Sequence, residues 1–135
     1  MAAWDVKLLT PDQAWPLQSS AQASGVHLCG GVAELLDRSD LVISAVTASQ
    51  ALAVAEEVAR LIRPGTWFLD LNSASPGTRL QAAGLIDQAG GRFVEAGVMT
   101  SVPPHGIRVP MLLGGPHAAG LAPQLSAWGM NVQVA

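Results

Sequence analysis

LVISAVTASQALAVAEEVARLIRPGTWFLDL, residues 41–71, decides the fold. Its two ends, LVISAV (41–46) and WFLDL (67–71), are short apolar runs of strand length, rich in β-branched and aromatic residues. Between them Ala51, Ala55, Val58, Ala59 and Ile62 recur at three- and four-residue spacing and so share one face of a helix, whose start Thr47 or Ser49 can cap. Glu56 and Glu57 stand off that face. Arg60 and Arg63 complement the helix dipole near its end, and Pro64-Gly65 stops it.

The same alternation continues on both sides. Downstream, RFVEAGV (92–98) and VPMLLGG (109–115) read as further strands. One helix starts with Ser75 as N-cap and Pro76 in its first turn and ends at Gly90-Gly91, and another runs from about His117 to Trp128 with Leu121, Leu125 and Trp128 on one stripe. Upstream, residues 11–24 and 31–38 read as shorter helices separated by VHLC. Strands alternating with helices imply an α/β chain with a largely parallel sheet wrapped by helices. At 135 residues it has the size of one domain or one piece of a larger protein.

Composition narrows the function classes. Only 13% of residues are charged and the formal net charge is −3, so no electrostatic footprint for nucleic acid or an anionic membrane is expected. A mean hydropathy of +0.35 is high for so small a domain and implies that something else covers part of its apolar surface. The apolar runs are too short to span a bilayer, and the N-terminus has no basic region followed by an apolar one, so a cytoplasmic location is expected. The single cysteine, Cys29, sits in VHLCGG as a small buried hydrophobe would. His27 and His117 read as structural, and no spacing of His, Cys and carboxylates suggests a metal site.

In open parallel sheets, ligands bind at the carboxyl ends of the strands. LVISAV leads into Thr47 and WFLDL into Asn72-Ser73, so two neighbouring strands bring hydroxyl and amide groups to one edge, where a cofactor or substrate can hydrogen-bond. The same residue types also cap helices and shape turns without binding anything, and the residues alone leave both readings open.

Residues 40–78, followed by GGRFVEAGVM and VPMLLGGP, resemble the N-terminal dinucleotide-binding domain of the β-hydroxyacid dehydrogenases, the group containing 3-hydroxyisobutyrate dehydrogenase and 6-phosphogluconate dehydrogenase. The resemblance covers nearly the whole chain. It implies a Rossmann-like doubly wound sheet, with residues 1–135 as a partial NAD(P)-binding domain truncated at both ends. The family's Asp-x-Ser-Thr-x-x-Pro run, which lies beside the nicotinamide, is matched by Asp70 to Pro76, with Asn72 and Ser73 in the Ser-Thr places. The loop passing over the cofactor's pyrophosphate and ribose is matched by Ala45, Val46 and Thr47. Asp5 falls where an acidic residue accepts hydrogen bonds from an adenosine ribose, which favours NAD, and nearby Lys7 could instead attract the 2′-phosphate of NADP.

The departures from the family matter equally. Its substrate loop, Asp-Ala-Pro-Val-Ser-Gly-Gly, is matched by Glu95 to Ser101, so Met99, Thr100 and Ser101 replace the serine and both glycines, and His105 in the following VPPHG is an added candidate substrate contact. No Gly-x-Gly-x-x-Gly occurs in the chain, so the first strand, glycine loop and first helix of such a domain are expected to be lacking. The family's catalytic lysine belongs to a C-terminal helical domain, whereas Lys7 is the only lysine here, so no catalytic residue is expected within these residues.

The leading expectation is therefore a partial NAD(P)-dependent oxidoreductase whose parent acts on a hydroxy acid. The alternatives are a non-catalytic protein that docks through its sheet edge to itself, as a homo-oligomer, or to a paralogue, and a nucleotide-binding module using GGPHAAG as its phosphate cradle.

Overall fold

The parallel pairing expected from residues 41–71 is present in the computed structural model, which describes residues 1–135. Strand β3 (Leu41–Ser44) runs parallel to β4 (Trp67–Asp70), in a register from Leu41 opposite Trp67 to Ser44 opposite Asp70. The connection between them is helix α3 (Ala51–Leu61), which buries Ala51, Ala55 and Val58 and is followed by buried Ile62. These are residues of the apolar stripe anticipated from the spacing.

The chain divides into two units, Met1–Ser39 and Asp40–Ala135. In the larger one β3 and β4 belong to a five-stranded sheet, with β3 at one edge and three further strands following β4. Strand β5 (Arg92–Val98) is parallel to β4, β6 (Met111–Gly114) is antiparallel to β5, and β7 (Val132–Val134) is parallel to β6. The reversal at β6 makes β5 and β6 a hairpin. Residues 99–110 form its loop, closed at the base where the Met99 N–H donates to the Pro110 carbonyl at 2.9 Å.

Helices cover both faces of this sheet. Leu69, Val94, Ala96 and Leu113 form one fully buried layer with Leu121 and Leu125 of α5 (Ala118–Ala127). Residues alternate faces along a strand, so Phe68 and Phe93 point the other way, stacked with ring centroids 5.7 Å apart. Helix α4 (Pro76–Gln88) lies on that second face. Its Arg79 reaches Glu95, which shares the face of Phe93.

Three local expectations are corrected. Neither Thr47 nor Ser49 caps α3: a 3₁₀ turn, Ala48–Gln50, leads into the helix, and the two hydroxyls face each other at 3.2 Å. Trp128 is 54% exposed because α5 ends at Ala127 and Gly129, at φ 92°, turns the chain; Met130 and Val132 pack against the core instead. LVISAV contributes a strand only as far as Ser44, since residues 45–47 leave the sheet.

The smaller unit pairs β1 (Ala2–Ala3) parallel with β2 (His27–Leu28). Between them lies α1 (Pro11–Ser24), ended by Gly25 at φ 71°, and after β2 comes α2 (Val32–Asp37). No helix of the chain is long and apolar enough to cross a membrane.

Candidate functional site

Strand register lines up Ser44, Asp70, Glu95 and Gly114 across β3, β4, β5 and β6. Directly opposed residues project to the same face, so a hydroxyl, two carboxylates and a glycine form one polar row. Ser44 and Asp70 are buried, and the Glu95 side chain is partly covered. Two adjacent carboxylates repel unless a cation lies between them. Arg79 supplies it: its Nη1 lies 3.6 Å from a Glu95 oxygen, its Nη2 donates to the Asn72 carbonyl, and its charge acts on Asp70. The Arg79 Nε–H is buried with no partner in the chain. Burial pushes the Asp70 carboxyl above the usual carboxylate range, opposed by the Asn72 backbone N–H and by Arg79.

Gly114 is in the row for a steric reason. A Cβ there would lie 2.7 Å from Glu95 Oε1 and 3.1 Å from its Cγ, so the absent side chain is the space the glutamate occupies. The GGPHAAG segment is accordingly packed at its first glycine against the Glu95 side chain of β5.

Just beyond the row, Asn72 is 3% exposed and turned inward. Its Oδ1 accepts the Val46 backbone N–H at 2.7 Å, its Nδ2 donates to Ser44 Oγ at 2.9 Å, and its own N–H donates to Asp70 Oδ1 at 2.7 Å. One buried amide thus braces the segment after β3 against the end of β4. Val46 and Thr47 are held at the carboxyl edge and are exposed, as is Ser73, the residue after the brace. Ser75 then accepts the Thr78 N–H at 3.2 Å and caps α4, as its sequence position suggests.

Met99, Thr100, Ser101 and His105 all lie exposed on the 99–110 loop. In the smaller unit, Asp5 Oδ1 accepts the Lys7 backbone N–H at 2.9 Å and caps the turn Val6–Leu9, and Lys7 is exposed. His117 meets the Trp67 ring edge-on at 6.4 Å and lies 3.7 Å from Asp87. Sequence reasoning placed the braced loops but missed Ser44, Arg79 and the steric part played by Gly114. Their signal was the register itself, which no local motif encodes.

The exposed hydroxyls of Thr47 and Ser73 suit hydrogen bonding to the sugar and amide of a nicotinamide nucleotide. For a pyrophosphate, the usual glycine-rich turn at a helix N-terminus has no matching sequence in these residues. In an open α/β sheet the carboxyl ends of the strands, where these hydroxyls stand, are the edge at which ligands bind. Residues 3–134 match the model of the NAD-binding domain of 6-phosphogluconate dehydrogenase, and the chain belongs to that family.

Solved structures agree. A conserved hypothetical protein from Sinorhizobium meliloti 1021 superposes with a TM-score of 0.94 at 36% identity, over 100% of this chain and 45% of its own. A conserved protein of unknown function, described as structurally similar to 3-hydroxyacid dehydrogenases, gives 0.82 at 28% identity over 99% of this chain and 47% of its own. The 3-hydroxyisobutyrate dehydrogenase of Mycobacterium tuberculosis, solved with L-serine, shares the fold at a TM-score of 0.79 and 21% identity, over 97% and 44%. This chain therefore spans less than half the length of each of these structures. No curated protein matches it closely.

Proposed function

We propose that this chain supplies the nicotinamide side of an NAD(P) site in a cytoplasmic oxidoreductase that acts on a small hydroxy acid. The observation that carries the reading is the Asn72 brace: by engaging Ser44 and Val46 internally, it leaves the Thr47 and Ser73 hydroxyls exposed together with the loop backbone. Ser73 is the contact to the nicotinamide, and Val46 and Thr47 border the ribose. Asn72 acts through them as a positioning residue. The cofactor would supply hydride exchange, and the part of these residues is to bind and orient it.

The 99–110 loop is the substrate side of the same proposal. Met99, Thr100, Ser101 and His105 are the contacts. Asp5 and Lys7 are the residues through which NAD and NADP are told apart: the carboxylate suits a free ribose, and the ammonium suits a 2′-phosphate.

Saturation-transfer NMR of the chain with nicotinamide mononucleotide tests the first part. The expected result is contact with the nicotinamide protons that weakens severalfold in Ser73→Ala and is unchanged in Glu56→Ala on the exposed face of α3. Equal signal in the Ser73 variant and the wild type would remove Ser73 from the site. Comparing NADH with NADPH in Lys7→Ala tests the second part, with selective loss of NADPH binding expected if the 2′-phosphate is held there.

A further inference from the structure

The smaller unit, Met1–Ser39, buries only Ala14, Ala21, Cys29 and Leu36 among its apolar residues. A fully buried core of two alanines, a cysteine and one leucine stabilises little, and segments of about 40 residues usually need a disulfide, a metal or a partner. Cys29 is the only cysteine, so no internal disulfide can serve. What the unit does contain is a convergence of donor atoms at the turn between β2 and α2. His27 and Cys29 lie two positions apart on an extended segment and so project to one side of it. Their backbone N–H groups are fixed by the Met1 and Ala3 carbonyls at 3.0 and 2.8 Å. Glu34, on the first turn of α2, folds back to meet both.

We infer that His27, Cys29 and Glu34 form a binding site for a divalent metal ion of the zinc class. The His27 nitrogen, Cys29 sulfur and Glu34 oxygen all lie within 4.8 Å of one another. His27 Nε2 and Glu34 Oε2 are already 3.3 Å apart, close to the ~3.5 Å edge of a tetrahedron whose metal–ligand bonds are about 2.0–2.3 Å. Only the sulfur has to draw in. Imidazole, thiolate and carboxylate together match zinc and its transition-metal neighbours, whereas the hard ions calcium and magnesium take oxygen. Side chains at Gly30 and Gly31 would meet nothing within 4 Å, so the turn is open and a water can complete the fourth position.

Without metal, the thiol donates to the Glu34 carboxylate. Binding exchanges that proton for the ion: the S–H bond breaks, a sulfur–metal bond forms and one proton leaves to solvent, with no change of oxidation state. The ion also replaces the direct His27–Glu34 contact. It would fasten β2 to α2 in a unit with little core.

Cobalt(II) reports on the site because zinc is spectroscopically silent. Titrating the chain under reducing conditions should give one bound ion and a near-ultraviolet thiolate-to-cobalt absorption, which can arise only from Cys29, and zinc should displace it. Cys29→Ser should abolish the band. Changes behind a metal ligand alone weaken binding about 10–100-fold, so His27→Ala and Glu34→Gln should each weaken it at least tenfold. Both of those side chains are about half exposed, so these variants leave the packing intact. Absence of the band at saturating cobalt, or affinity unchanged in either His27→Ala or Glu34→Gln, would overturn the assignment.

Discussion

Asn72 reaches back 26 positions to accept the backbone N–H of Val46 on its side-chain oxygen at 2.7 Å, while its nitrogen holds Ser44 Oγ at 2.9 Å. A buried amide with both ends occupied fixes the distance between two loops more firmly than a turn residue facing water could. The loop carrying Thr47 is therefore placed by a residue on the neighbouring strand end.

Removing that amide should be costly. Asn72→Ala strands the Val46 N–H and the buried Ser44 hydroxyl, at about 1–3 kcal/mol for a buried group left unpaired. Ser44→Ala removes one partner and should cost less. Urea denaturation of the two single variants and the double one measures the coupling, and the double variant should be less destabilised than the sum of the singles.

Gly114→Ala drives a methyl group into the space held by Glu95. The clash is with the outer part of a partly exposed, flexible side chain, so the cost should fall at the low end of the roughly 1–3 kcal/mol typical of overpacking, and displacing Glu95 also breaks its contact with Arg79. Glu95→Ala in the same chain should relieve most of the loss. Equal destabilisation with and without Glu95, read by chemical denaturation, would mean that the glycine serves another purpose.

The buried Asp70 predicts a pH dependence. Its folded pKa is raised above the unfolded value, mainly by burial, so between the two values the folded state binds more protons than the unfolded one. This group therefore makes the protein less stable as pH rises from the ordinary carboxylate range through the folded pKa, and the penalty is fully present above it. Asp70→Asn removes the titration and can still accept the Asn72 N–H. Thermal midpoints across pH should lose this downward component in the variant.

Helix α4 depends on its first residue contacts. Ser75 Oγ accepts the Thr78 N–H at 3.2 Å and donates to Thr78 Oγ1 at 2.9 Å. Ser75→Ala should cost about 1 kcal/mol, as loss of an N-cap typically does, and Ser75→Asp should restore most of it. Thermal unfolding followed by circular dichroism separates the two.

What was legible in the sequence was local. RFVEAGV corresponds to β5 at both ends and residues 11–24 to α1 at both ends, because the strand's β-branched and aromatic residues and the Pro11 start and Gly25 stop act over a few positions. The direction of β6 was not legible: VPMLLGG alternates in the same way whether its neighbour runs with it or against it. Nor was the inward turn of Asn72. Asparagine is equally at home in an exposed turn, and the partners that draw it in lie 26 and 28 positions away. The donors around Cys29 escaped notice for a related reason, since His-x-Cys followed by a glutamate five positions on is no familiar ligand spacing.

The hairpin formed by β5 and β6 has its two ends tied at one point, Met99 to Pro110. The exposed residues 99–108 can change without shifting either strand, because the ladder below is already closed, whereas Val109 is anchored in the core. In evolutionary terms residues 99–108 are an exchangeable cassette: ten exposed positions can drift without disturbing the core, while Asn72 is held to its place by the partners it braces.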